Sequence, residues 1–332
     1  MMGATHCPRC IALMKRKISR RTGLKLMTAG TLMGLGARGS AVAETAPSPR
    51  NPQPMTRDPW PETHDRVFLG GEYWANPMED WRVSAGGAEC LSMGGGRSVH
   101  SLTHQVTQND TFTIEVTLTR LEIGKTDGGA GFRIGLRSEI NEYRSNCFVQ
   151  KGINAGWQGD QLVLGPKTAP LKDGSALKQV RLTLKGAPEG DKGVLTLTAH
   201  AMDSNAELGT ITHAFDAEAL LGNVSIANNF AAGAVAGAKK NQNKAKTGAA
   251  GAGRYRFQNW DLHGTAFTVT PQNCFGPLLW SMYSLSDSRT EEGFVMKLSA
   301  LTAPLGAKDN QVVELLVKEA GAWKSLGTAK LL

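Results

Sequence analysis

The sequence predicts an all-β chain: two sheets packed face to face as a jelly-roll β-sandwich, followed by a partial immunoglobulin-like β-domain. Three observations predict it. Phe112-Thr113-Ile114-Glu115-Val116-Thr117-Leu118-Thr119 alternates apolar and polar side chains strictly, as a strand with one buried face must. Shorter runs of the same kind recur at Phe132–Leu136, Gln161–Leu164, Val180–Leu184, Val194–Ala199 and Tyr255–Trp260. Turn signals separate them: Asp127-Gly128-Gly129, Asp173-Gly174-Ser175 and Glu189-Gly190-Asp191-Lys192-Gly193. Only Asp216–Leu221 reads as helical, so strands without crossover helices must bury the core against a second sheet.

Taken in order, the chain opens on an export signal. Arg20 and Arg21 precede a modest apolar run, Leu24–Leu35, and small residues follow, ending in Ala41-Val42-Ala43 before Glu44. That order of charge, apolar run and small residues is a twin-arginine leader cleaved after Ala43, with a periplasmic or extracellular destination. The apolar run falls well short of the roughly 20 residues that span a bilayer. No later stretch approaches that length.

The leader also accounts for the charge. The sequence holds 37 basic and 29 acidic residues, a formal charge of +8. Eight of the basic ones (Arg9, Lys15, Arg16, Lys17, Arg20, Arg21, Lys25, Arg38) lie in 1–43 with no acid among them, and 37 less eight leaves 29 against 29. A neutral mature chain removes the electrostatic footing for nucleic-acid binding. Cys7 and Cys10 have C-x-x-C spacing but belong to the leader and lack a second pair. Cys90, Cys147 and Cys274 allow at most one bridge, and spacing does not choose it.

Residues 44–66 hold six prolines and read as an extended tether. The sandwich is expected over 67–270. Within it Ala231–Gly253 is largely Ala, Gly, Asn and Lys with almost no large apolar side chain, a composition with little to bury, expected to be a solvated insertion. The strand after it, ending at Trp260, should return to the first sheet. Residues 271–332 supply three strand-like pieces, 293–301, 311–318 and 323–330, with a tight turn at Gly321-Ala322. An immunoglobulin-like sandwich needs about seven strands, so either this sheet packs on the first domain or, as expected here, the sequence is the front of a longer protein.

Few constellations suggest chemistry. His100 and His104 sit in a strand-like setting, where residues four apart share a face about 13 Å apart, too far for one metal. A lectin-like (concanavalin-like) sandwich of glycanase type places paired carboxylates along one strand. Glu72, Glu79-Asp80, and Glu139 with Glu142 lack that spacing. There is no G-x-S-x-G elbow and no phosphate-binding G-x-x-x-x-G-K-[ST] loop. The densest polar and aromatic stretch runs from Gly131 to Trp157 and includes Arg133, Glu139, Glu142, Arg144 and Asn154. Sugars are held by aromatic faces and polar forks, and Arg137, Asn141, Tyr143 and Trp157 are the candidate ligand residues. The alternative is a salt-bridged network with ordinary core aromatics.

Trp74-Ala75-Asn76-Pro77-Met78-Glu79-Asp80-Trp81-Arg82, Gly131–Gly135, Phe275–Trp280, Thr302–Gly306 and Gln311–Leu315 together resemble the N-terminal region of secreted alkaline phosphatase D-like proteins. The resemblance covers most of 67–332. It implies a metallophosphoesterase domain further along, where G-N-H-[ED] and G-H-x-H motifs hold paired metals. Neither motif occurs here, and Gly159-Asp160 is followed by Gln161-Leu162-Val163 with no partner motif. No catalytic residue carries over, and metal ions belong to the downstream domain. The expected function is therefore an exported accessory region that positions such a hydrolase or contacts a polysaccharide. Its rivals are a free-standing carbohydrate-binding protein and a cryptic glycoside hydrolase acting through Glu139 or Glu142.

Overall fold

The structure, a computed structural model, describes residues 11–17, 58–230, 251–285 and 295–331. Arg20, Arg21 and Ala43, the tether up to residue 57, and residues 231–250 of the Lys-rich insertion lie outside them.

The chain divides into two units, one spanning Pro52–Phe275 and the other combining Met1–Asn51 with Gly276–Leu332. Strand β1 (Ile11–Lys17) belongs to the second. The first is built from β2 (Tyr73–Asn76), β3 (Trp81–Ser84), β4 (Gly87–Cys90), β5 (Arg97–Val106), β6 (Phe112–Ile123), β7 (Ala130–Leu136), β8 (Ile153–Gln158), β9 (Gln161–Leu164) and β10 (Lys167–Pro170). It continues with β11 (Gln179–Glu189), β12 (Lys192–His200), β13 (Glu207–Asp216), β14 (Gly222–Asn228), β15 (Gly253–Gly264) and β16 (Phe267–Val269). Among the described residues it also holds one short helix, α1 (Tyr143–Asn146), and 3₁₀ turns at Trp60–Glu62, Met78–Asp80 and Ala217–Leu220.

These strands form two antiparallel sheets. One runs β13-β12-β11-β6-β15-β4-β3; the other runs β10-β9-β8-β7-β14-β5-β16, with β2 also paired to β5. This is the jelly-roll-type sandwich the alternation predicts. Ile114, Val116 and Leu118 of β6 and Leu182 and Leu184 of β11 are buried together with Phe132 and Ile134 of β7 and Val224 and Ile226 of β14. Strand β15 pairs with both β6 and β4, so it closes the seven-stranded sheet from within. The β11–β12 hairpin closes through Gly190-Asp191, with Gly190 at φ 62°, where a side chain would be strained.

Two boundaries differ from the sequence reading. Residues 58–66, expected to end the tether, belong to the sandwich. Trp60 is fully buried, stacks on Trp260 at 6.2 Å and donates its indole N–H to Leu69 O at 2.9 Å. Asp58 accepts from the Trp260 backbone N–H, and Arg66 bridges to Val83. Six prolines suggested an extended run, but a buried tryptophan and carboxylate anchor its last residues. At the other end the unit reaches Phe275, whose N–H donates to Gly71 O and whose ring meets Trp74 at 5.0 Å.

The second unit contains β17 (Leu278–Leu285), β18 (Val295–Thr302), β19 (Val312–Glu319) and β20 (Ala322–Lys330). A three-stranded sheet runs β1-β18-β17, and β19 pairs with β20. Strand β1 falls inside the expected leader. Strand β17 is one more than the sequence reading gave, because Leu278–Leu285 shows no alternation and is exposed throughout. The β19–β20 turn is Ala320-Gly321, both at positive φ (50° and 89°), the twist that suits a two-residue hairpin.

Candidate functional site

Directly paired residues of antiparallel strands point to the same face of a sheet. In the eight-stranded sheet Trp74 pairs with His100, His100 with Ser225, Ser225 with Arg133, and Arg133 with Asn154. One transverse row thus crosses β2, β5, β14, β7 and β8. It lies on the outer face, because its neighbours along each strand (Tyr73, Val99, Ile226, Phe132, Ala155) are in the core.

Polar side chains in such a row should meet water, yet these are covered. His100 and Ser225 are fully buried and Arg133 is 3% exposed. The cover is the segment from Arg137 to Gly152. Asn76 donates to Cys147 O at 2.9 Å, Asn146 to Asn223 Oδ1 at 3.3 Å, and Asn223 back to Tyr143 O at 2.9 Å. Glu142 caps α1, accepting from the backbone N–H groups of Arg144 and Ser145.

Arg133 is the unusual member. Its Nε donates to Asn154 Oδ1 at 2.8 Å and its Nη1 to Gln150 Oε1 at 3.2 Å. Among the described residues no carboxylate forms an ion pair with it. Burial lowers its pKa from the ordinary arginine value. His100 bonds Ser98 Oγ through Nε2 at 3.0 Å, while its Nδ1 is buried without a partner among the described residues. Burial first, and the Arg133 charge second, push the imidazole down to about 3; it is neutral at ordinary pH. The buried Trp74 Nε1 is likewise unpaired among the described residues.

An aromatic patch adjoins the row. Trp74 meets Phe148 edge-on at 5.6 Å and Phe275 at 5.0 Å, and Phe148 is 62% exposed. Together these elements give a partly exposed aromatic platform beside buried, unsatisfied polar groups. That combination suits a ligand with apolar ring faces and polar edges.

The residues singled out from sequence fare differently. Arg137 pairs with Glu218 at 2.8 Å, away from Arg133. Asn141, at φ 47°, accepts from Asn146 at 3.2 Å, and Tyr143 opens α1 with Arg144 near its ring; both belong to the covering segment. Trp157 does not join them. It faces the core, fully buried, with the Arg120 guanidinium 3.8 Å from its ring and its indole N–H on Gly159 O at 2.8 Å. Asn154 and Trp157 are three residues apart on β8, so they cannot share a face, and that parity was readable beforehand. The row residues Trp74, His100 and Ser225 were not assembled from sequence; Arg133 and Asn154 were noted only as part of the dense stretch.

The two histidines need a correction as well. They lie on opposite faces, since the β5–β14 register is irregular between His100 and Gln105. His104 pairs with Val269 and meets Phe267 edge-on at 5.8 Å, on the core side with Val106. Burial pushes His104 down to about 4.

The outer face of the seven-stranded sheet is better satisfied. Glu89 is held by Arg82, Arg254 and Arg256 at 2.7, 3.2 and 2.6 Å. Thr196 bonds Thr212 and Thr198 bonds Thr210. Asp261-Leu262-His263, a D-x-H triplet on β15, brings Asp261 and His263 to 3.9 Å. No group of three or more His, Cys, Asp or Glu that could hold a metal occurs among the described residues. Cys90, Cys147 and Cys274 are free thiols; burial pushes Cys90 and Cys147 up to about 12.

No family model matches the sequence, and no curated protein matches it. Among solved structures it is similar to the lectin UEA-II complexed with galactose, at 12% identity and a TM-score of 0.34, covering 60% of this chain and 96% of that one. It is also similar to a lectin from Bauhinia forficata in complex with GalNAc, at 8% identity and a TM-score of 0.33, covering 58% and 92%. The fold assignment rests on the two sheets themselves.

Proposed function

We propose that the sandwich is a non-catalytic carbohydrate-binding module that holds its ligand on the outer face of the eight-stranded sheet. The observation that carries this reading is the row Trp74–His100–Ser225–Arg133–Asn154 beside the Trp74–Phe148–Phe275 platform. A pyranose presents an apolar face for stacking and hydroxyls for polar partners; the platform offers the first, and the half-buried ends of the row, Trp74 and Asn154, are where it meets the surface. The carboxylates of the glycanase alternative favour it less: Glu142 is spent on a helix cap and Glu139 is exposed on the preceding loop.

Phe148→Ala tests the module, because an exposed side chain can be removed with little effect on folding. Retention of the purified chain in polysaccharide affinity gels should weaken about 2- to 10-fold, in line with ~0.5–1.5 kcal/mol for an aromatic contact. Unchanged retention would sink the platform's role.

The chain's wider setting is read from the resemblance at Trp74–Arg82 and Phe275–Trp280: an exported accessory front to an alkaline phosphatase D-like hydrolase. Sequencing the gene beyond codon 332 tests it. An in-frame G-N-H-[ED] and G-H-x-H continuation supports that setting, and a stop codon leaves a free-standing binding protein.

A further inference from the structure

A buried guanidinium with only amide oxygens around it is incomplete as a charge site. Removing a cation from water costs several kcal/mol unless an opposite charge compensates. Arg133 has Asn154 and Gln150, both neutral, and His100, in the same row and within reach of its charge, contributes no negative charge. The two amides are not equivalent. Asn154 stands on β8, fixed by the sheet; Gln150 is exposed, lies on the covering segment, and makes the longer bond at 3.2 Å. An exposed amide thus caps a buried cation.

We propose that Arg133 is the anion anchor of this face and that its ligand is an acidic glycan, a sugar chain carrying carboxylate or sulfate groups, whose anion displaces the Gln150 amide. The inference rests on the reading of the face as a glycan-binding surface. An anionic group is a stronger acceptor for a guanidinium than an amide oxygen and can take two N–H donors at once. The Trp74–Phe148 platform lies three strands away along the same face, roughly 14 Å at 4.7–4.9 Å per strand. A short oligosaccharide passing over the covering segment spans that distance, stacking at one end and ion-paired at the other.

The cap residue supplies the test. Gln150→Glu would place a carboxylate on Arg133 from within the protein, so it should hold or raise the melting temperature while blocking an incoming anion. Purified wild-type and variant chains are compared in affinity gels containing polygalacturonate, dextran sulfate or neutral laminarin. The wild type should be retained more strongly by an acidic polymer than by laminarin, and the variant should lose about tenfold of that affinity, ~1.4 kcal/mol, with laminarin retention unchanged. Whether polygalacturonate or dextran sulfate is preferred separates carboxylate from sulfate. Arg133→Gln, its fold checked by near-ultraviolet circular dichroism, should lose the same preference. Equal retention by acidic and neutral polymers, unmoved by Gln150→Glu, overturns the anion anchor and leaves the glycan surface standing. No retention by any of the three overturns the glycan reading, and the anchor with it.

Discussion

Arg120 shows how one side chain can fix several loops at once. It pairs with Asp127 at 2.8 Å, covers Trp157, and donates to the carbonyls of Gly174, Ser175 and Leu177. Asp127 in turn accepts from the Gly129 and Gly159 N–H groups and from the Tyr255 hydroxyl. Arg120→Met would leave that carboxylate buried and uncompensated, so denaturant unfolding should show a loss of about 3–5 kcal/mol. The same knot explains why Trp157 is structural. His100 and His104 set the acid response. Their folded values, about 3 and about 4, lie below the ordinary 6.5, so the unfolded chain binds protons the folded one refuses. Stability is then unaffected above pH ~7 and falls as pH drops from about 6.5 toward 4, by up to ~2.7 kcal/mol per unit for two groups. In melts between pH 7 and 5, above the main carboxylate range, His100→Gln should flatten that dependence by about half; an unchanged slope would contradict it.

Among the elements, what could be read in advance depended on which faces were covered. Strand β6 was legible because one face is buried and the other wet, which imposes a period of two. Strand β14, Gly222–Asn228, was not, because it lies between β5 and β7 with both faces covered and all seven residues buried. A sequence cannot alternate where nothing faces water. The transverse row was hidden for a related reason. Its pairs are 26, 125, 92 and 21 residues apart, joined only by strand register. The piece from Asp58 to Arg66 was hidden by its prolines. A chain starting at Asp58 should keep the full stability of the sandwich, and Trp60→Ala in it should cost about 3–5 kcal/mol. Should that variant unfold at the wild-type denaturant midpoint, Trp60 is not part of the core.

At the scale of the whole molecule, the two units differ in how far they bury their own apolar side chains. The sandwich hides four tryptophans completely: Trp60, Trp81, Trp157 and Trp260. In the other unit Leu278, Trp280, Met282, Tyr283, Leu285 and Trp323 are exposed by 44–69%. Exposed apolar groups in such number bind hydrophobic dyes. Ending the chain at Phe275 should therefore abolish most of its anilinonaphthalene sulfonate fluorescence without lowering the melting temperature of the sandwich; a large fall in that temperature would show that the sandwich depends on the second unit for its stability.

The order of the strands has one more consequence. All five row residues precede residue 231, whereas β15, which fills the seven-stranded sheet between β6 and β4, follows residue 250. Cutting the polypeptide between those points would put the five row residues on one fragment, and an indispensable core strand together with Phe275 of the platform on the other. Neither piece could present the sheet alone, and mixing them would restore binding only on reassembly. If the face binds glycans as proposed, such a pair would act as a split reporter, in which retention on a polysaccharide announces that two polypeptides have met.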